Sequence, residues 1–247
     1  MNGAHKINFL SGNMLKIIGA IAMVIDHIGF LIFPTTKILR IIGRLSFPIY
    51  ALMIAEGCKY TKNKKKYFSI IFLLGLIFQL VYYLATKSSY LGILITFSIS
   101  ILMIYALQNL KKKLFSNGNA SKDKILAGLI FISIVIAVYV LNRCIVIDYG
   151  FWGCMAPVFA SLFHLNYEKV PNYLKKLDKL QIHLLCFSLG IILLVLFRGK
   201  GEYSMFIALL LLFLYSGERG KYNMKYFFYI FYPLHMVIIY GISFLIG

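Results

Sequence analysis

The sequence predicts an all-α protein, a polytopic transmembrane helical bundle of about nine spans, and three observations predict it. Of 247 residues, 61% are hydrophobic and only 14% are charged, with a mean hydropathy of +0.83; that balance leaves no polar exterior for a soluble domain. Nearly every window of about 20 residues between charge clusters is apolar enough to cross a hydrocarbon core about 30 Å thick. The basic residues alternate in density from one inter-span loop to the next, as membrane orientation requires. The whole chain, 1–247, reads as a single transmembrane domain.

The first span, 14–33, follows a short polar start and has no small-residue cleavage site behind it, so it is expected to stay as a helix rather than act as a secretory signal. The next spans are expected at 38–58, 67–85, 91–110, 124–141, 150–166, 181–197, 203–215 and 227–246, the eighth being short. Placing the N-terminus in the cytoplasm puts 19 of the 26 basic residues inside: Lys6 and Lys16, the 59–66 loop, the 111–124 loop, the 169–179 loop and the 219–225 loop. Lys37, Arg40, Lys87, Arg143, Arg198 and Lys200 fall outside, and Arg44 lies within the second span. This reading makes the protein a multi-pass component of the bacterial cytoplasmic membrane with an outside C-terminus.

The net charge of +18 raises nucleic acid as a partner, but the lysines sit in short loops with no aromatic-rich polar domain around them, so none is expected. The same loops suit anionic lipid and a polyanionic nucleotide cosubstrate. Cys58, Cys144, Cys154 and Cys186 form no C-x-x-C pair and read as packing residues. No Gly-rich phosphate loop, H-E-x-x-H helix or G-x-S-x-G elbow is present, and no metal is expected.

Chemistry is expected where ionisable groups lie at membrane depth, because each costs roughly 2.5–3.5 kcal/mol on insertion scales. Asp26 and His27 lie about 19 Å along the first helix, and Arg44 about 9 Å below the outer end of the second, so the three are expected to meet in one layer. Pro48 withholds the helical donor from the Arg44 carbonyl and marks the same place as irregular. Glu56 lies about 18 Å from Arg44, near Lys59 and Lys62, while Gln79 returns to the outer-middle layer and His235 sits about 12 Å into the last span. His164 and His183, near span ends, call for no special role. An Asp–His unit suits acyl transfer, the carboxylate orienting an imidazole that takes a proton from an amine or hydroxyl, with Arg44 holding an oxyanion or a carboxylate. The same trio equally suits a proton-coupled transporter or flippase, and spacing alone does not choose.

The segments Ile25-Asp26-His27-Ile28-Gly29, Gly43-Arg44-Leu45-Ser46-Phe47-Pro48 and Ala55-Glu56-Gly57, followed by Tyr60-Thr61-Lys62-Asn63, resemble the TraX family, a conjugation-associated family linked to N-terminal acetylation of pilin. The likeness continues through Gln79, Thr96, the stretch Asp148-Tyr149-Gly150-Phe151-Trp152-Gly153 and Tyr232-Pro233-Leu234-His235, and departs at Val81 and Gly92, where the family pattern carries Pro and Asn. More loosely the chain is similar to acyltransferase-3 membrane enzymes. The resemblance implies a membrane-embedded acetyltransferase fed by acetyl-CoA, with a peptide, pilin-like or envelope acceptor. On this reading Asp26, His27, Arg44 and His235 carry catalysis, and Glu56, Lys59, Lys62, Lys64, Lys65 and Lys66 hold the cosubstrate. Gln79, Asp148 and Tyr149 meet the acceptor.

The loop charges yield a direct expectation for topology. Single cysteines introduced in the 59–66 and 111–123 loops are labelled by an impermeant maleimide only after the membrane is opened, whereas one at 87–89 reacts in intact cells. Labelling of both sets from outside overturns the orientation.

Overall fold

The computed structural model describes residues 9–116, 120–222 and 224–246. Lys6, counted above among the inside charges, lies outside them. The regular secondary structure of the described residues is all helical, apart from two isolated bridges, Leu10 to Tyr215 and Leu91 to Ile147. The helices are α1 (Gly12–Leu31), α2 (Lys37–Gly43), α3 (Ser46–Tyr60), α4 (Lys64–Thr86), α5 (Ile93–Phe115), α6 (Ser121–Cys144), α7 (Gly150–Ala160), α8 (Asn172–Lys175), α9 (Leu180–Arg198), α10 (Met205–Phe213) and α11 (Lys225–Ile246).

Among the described residues, seven helical stretches are long and apolar enough to cross a membrane, with α2 and α3 counted together as Lys37–Tyr60. These correspond to seven of the nine expected spans. The other two, at 150–166 and 203–215, are occupied by the short helices α7 and α10. At 11 and 9 residues they rise about 16 and 14 Å, well short of the hydrocarbon thickness. α7 begins at two consecutive left-handed residues, Tyr149 (φ 58°) and Gly150 (φ 62°), and carries Pro157 near its end, where the missing N–H weakens the last turn.

Local sequence explains where the long helices start and break. Ser11 caps α1 by accepting from the Met14 N–H, and Asn63 caps α4 by accepting from Lys66, each relieving a terminal donor that has no partner within the helix. The second span breaks between α2 and α3 at Arg44 and Leu45. Pro48 then falls in the first turn of α3, where no N–H is needed.

The chain forms two compact units, one made of 1–53 with 199–247 and the other of 54–198. In the first, α1 packs against α2 and α11. Small residues allow the approach: a Cβ on Gly29 would lie 2.6 Å from Leu39 Cβ, and one on Gly19 would lie 3.0 Å from the Tyr50 ring. The Tyr50 hydroxyl donates to the Lys16 carbonyl at 3.1 Å, and Ser243 donates to the Leu31 carbonyl at 3.3 Å.

In the second unit, α5 packs against α4, α6 and α7, and α7 lies along α9. Its core contains Ile101, Met103, Ile104, Phe187, Ile191 and Leu194, all fully buried. Gly190 lets α9 close on Ala156 and Phe159 of α7, and Ser100 of α5 donates to the Cys154 carbonyl at 2.9 Å. Both are small-residue contacts of the kind that join helices where no hydrophobic drive between them exists. α4 and α6 expose Leu73, Ile77, Leu80, Leu129, Ile132 and Ile136, an apolar surface suited to lipid rather than water.

The Gly29 contact is testable. Gly29→Ala overpacks a rigid Cβ contact and costs about 1–3 kcal/mol, read as a lower melting temperature in detergent. Gly241→Ala, where an added Cβ meets nothing within 4 Å, leaves the melting temperature unchanged or raises it.

Candidate functional site

Asp26, His27, Arg44 and His235 all belong to the first unit, but they do not form the single trio expected from depth. Asp26 pairs with Arg40, at 2.7 Å between Oδ2 and Nη1, and Arg40 also donates to the Asp26 carbonyl at 3.3 Å. Arg44 instead pairs with Glu202, at 3.3 Å from Nε to Oε2. The reason is helical geometry. Arg40 and Arg44 are one turn apart on the same face, so each meets a different carboxylate. Gly43 makes the seat for Asp26, since any Cβ there would collide with the Asp26 side chain.

Asp26 and His27 do not form the expected Asp–His unit either. Consecutive residues on a helix point about 100° apart, and His27 turns away from Asp26 toward His235, with ring centroids 5.1 Å apart. Its Nδ1 lies 2.8 Å from the Met23 carbonyl, and His235 Nδ1 lies 2.9 Å from the Phe231 carbonyl. A carbonyl only accepts, so each Nδ1 carries the proton and each Nε2 keeps its lone pair. The orienting groups are therefore backbone carbonyls one turn back, not Asp26. His235 is buried, stacked on Phe231 at 4.9 Å, and its Nε2 has no hydrogen-bond partner among the described residues.

Beside the ion pairs, Lys37, Arg40, Arg44, Tyr203 and Ser204 line an open cavity of about 570 Å³. Ser204 Oγ is buried there with no hydrogen-bond partner among the described residues. Three cations against two carboxylates make this cavity suited to an anionic group.

The remaining expected residues lie in the second unit. Gln79 uses both ends of its amide on backbone, donating to the Tyr90 carbonyl at 2.8 Å and accepting from the Gly92 N–H at 3.2 Å. The clamped segment pairs with the next: Leu91 N–H donates to Val146, and Asp148 N–H donates to Leu91. Thr96 donates to the Asp148 carbonyl at 2.9 Å, Tyr90 bonds the Asp148 side chain, and Arg198 lies over the Tyr149 ring at 5.8 Å. Gln79, Asp148 and Tyr149 are thus brought to one place, where they hold two connections together. Burial, and then the Asp148 carboxylate, push the Tyr90 phenol above its ordinary range, so it is a neutral donor.

Among the lysines expected to hold a cosubstrate, Lys62, Lys65 and Lys66 are exposed. Lys64 donates to Gln108 and lies over the Tyr105 ring, and Lys59 lies 3.7 Å from Asp178. Glu56 is buried rather than open to the lysines. Its Oε1 lies 3.9 Å from His164 Nε2, and His164 meets His183 edge-on at 4.4 Å between centroids. Burial, aided by His183, Lys59 and Lys111, drives His164 well below the ordinary imidazole value and keeps it neutral. The sequence alone does not point to this Glu–His–His group, because His164 and His183 lie near expected span ends and belong to no motif. The signal available was Glu56 itself, a carboxylate at membrane depth that must find a partner.

The TraX protein family model matches residues 11–243. The chain belongs to the TraX family. Two curated proteins are similar to parts of the chain. An uncharacterized protein, RP591, of Rickettsia prowazekii (strain Madrid E) is 32% identical over 115 residues, which is 46% of this chain and 44% of that protein. The probable fimbrial assembly protein FimC, serogroup H1, of Dichelobacter nodosus is 32% identical over 83 residues, 32% of this chain and 34% of its own length. The chain therefore aligns with less than half the length of either relative. No solved structure matches it. The protein is a multi-pass membrane member of the TraX family.

Breaking the Asp26–Arg40 pair tests this arrangement. Arg40→Gln leaves a half-buried carboxylate unpaired and costs about 1–3 kcal/mol, while adding Asp26→Asn to it recovers much of the loss. Melting curves of the two singles and the double in detergent give the coupling. Additive losses would mean that the two side chains do not act as a pair.

Proposed function

We propose that the protein is a membrane-embedded acetyltransferase that moves an acetyl group from acetyl-CoA to an amine or hydroxyl acceptor. In this proposal the chain acts as one transmembrane domain in the bacterial cytoplasmic membrane, entered from a cytoplasmic N-terminus, with the seven long stretches crossing it and the short helices α7 and α10 in place of the other two expected spans. The observation that carries the activity is the His27–His235 pair. Acyl transfer needs a neutral imidazole whose lone pair faces the acceptor's proton, and both rings are held in the tautomer that leaves Nε2 basic. The absence of a hydrogen-bond partner on His235 Nε2 fits a group that waits for substrate.

The acceptor's nucleophile gives its proton to Nε2 as it attacks the thioester carbonyl. The acetyl carbon gains the new C–N or C–O bond, and the C–S bond breaks to release the CoA thiolate, which takes a proton in turn. The cationic cavity at Arg40 and Arg44 supports a second part of the reading, in which a guanidinium holds an acidic group of a peptide or envelope acceptor. In the other unit, exposed Lys62, Lys65 and Lys66 supply cations for the cosubstrate's phosphates. FimC carries the printed description of a fimbrial assembly protein, which favours a pilin-like acceptor over a small metabolite. The transporter reading is weaker, since both imidazole Nδ1 atoms are tied to helix carbonyls one turn away instead of to a second titratable group.

Transfer of label from acetyl-CoA in membranes carrying the protein, against empty membranes, tests the activity. His27→Ala is expected to abolish transfer while leaving acetyl-CoA binding intact, because it removes a function used only in the transition state. Wild-type turnover in folded His27→Ala with loss in His235→Ala moves the base to the last helix. Full activity in both variants removes the histidine pair from the mechanism.

A further inference from the structure

We propose that Glu56, His164 and His183 form a binding site for one divalent transition-metal ion of the zinc class. One ligand atom from each residue lies within 4.8 Å of the others, and the residues come from α3, the connection after α7, and α9. All three are buried, at 7%, 6% and 2% exposure. Zinc–ligand bonds of about 2.0–2.2 Å place tetrahedral donors roughly 3.3–3.5 Å apart. The donors would close on an ion by a small side-chain movement.

Hydrogen bonding supplies the independent observation. Both ring nitrogens of His164 and Nδ1 of His183 are buried with no hydrogen-bond partner among the described residues, whereas buried polar atoms are nearly always satisfied. His183 Nε2 lies 3.2 Å from the Phe163 carbonyl and 3.0 Å from Asp178 Oδ1. Both of those groups accept, so Nε2 carries the proton and Nδ1 offers its lone pair. A ligating imidazole held by a carbonyl or carboxylate behind it is the usual arrangement around protein-bound metals. Asp178 is itself fixed by the Leu165 N–H at 2.9 Å. Lys111 donates to the carbonyls of Ser161 and His164, which anchors the connection bearing His164.

Two imidazoles and one carboxylate form a borderline donor set that suits zinc better than magnesium or calcium, which prefer oxygen. Lys59 and Lys111 oppose a cation here, and the carboxylates of Glu56 and Asp178 offset them. Three protein ligands leave the fourth position to water or a substrate oxygen. Binding stands apart from the acetyl-transfer reading.

The test uses the full chain, purified in detergent and stripped with a chelator. Zinc is titrated by equilibrium dialysis with elemental analysis, and cobalt(II) is added as a spectroscopic probe. The expected result is one zinc per chain, a cobalt absorption of four-coordinate intensity, and no competition from excess magnesium. Glu56→Gln and His164→Gln are expected to abolish stoichiometric binding. Asp178→Asn weakens it about 10–100-fold, and Lys122→Gln, at an exposed position, leaves it unchanged. Absence of stoichiometric zinc, or a cobalt spectrum of six-coordinate intensity in the wild type, overturns the proposal without any variant. Undiminished binding in folded Glu56→Gln and His164→Gln does so as well, by assigning the zinc to the surface.

Discussion

Hydrocarbon contains no water to satisfy a polar group, and nearly every polar contact in this protein answers to that constraint. The backbone meets it by being helical. The side chains meet it by pairing, Asp26 with Arg40 and Arg44 with Glu202. Elsewhere a single side chain serves an irregular backbone, as Gln79 does for Tyr90 and Gly92. Because removing one partner strands the other, such pairs constrain neighbouring helices more firmly than apolar contacts do.

Close approach is the second half of the same problem. Between helices in lipid the attraction comes from packing and hydrogen bonds, so backbones must come near one another. Gly29 against Leu39, and Gly190 against Ala156, provide that proximity within each unit. Gly43 joins the two themes. Its missing Cβ leaves the space in which the Asp26 side chain lies, so a packing residue sets the position of a charged one.

The histidines divide into two chemical kinds, one per unit. His27 and His235 are tied through Nδ1 to carbonyls of their own helices and present Nε2, the arrangement of a base. His183 is held through Nε2 and presents Nδ1, beside a His164 with neither nitrogen bonded, the arrangement of a ligand. The backbone and carboxylate neighbours decide which lone pair is offered, and hence which chemistry each pair suits.

The sequence by itself determined the helical class, located the seven long apolar stretches among nine expected spans, and marked the residues at membrane depth that need an explanation. Hydrophobicity over some 20 residues is a local property, and a charge within such a window stands out wherever the chain folds. Depth along a helix was legible too, but azimuth was not. Asp26 and His27 share a depth and face different neighbours, and Arg40 rather than Arg44 reaches Asp26. The partners Glu202, His235 and His164 were decided only by tertiary structure. Each lies far along the chain from the residue it meets, and no local pattern encodes which distant side chain a buried polar group finds.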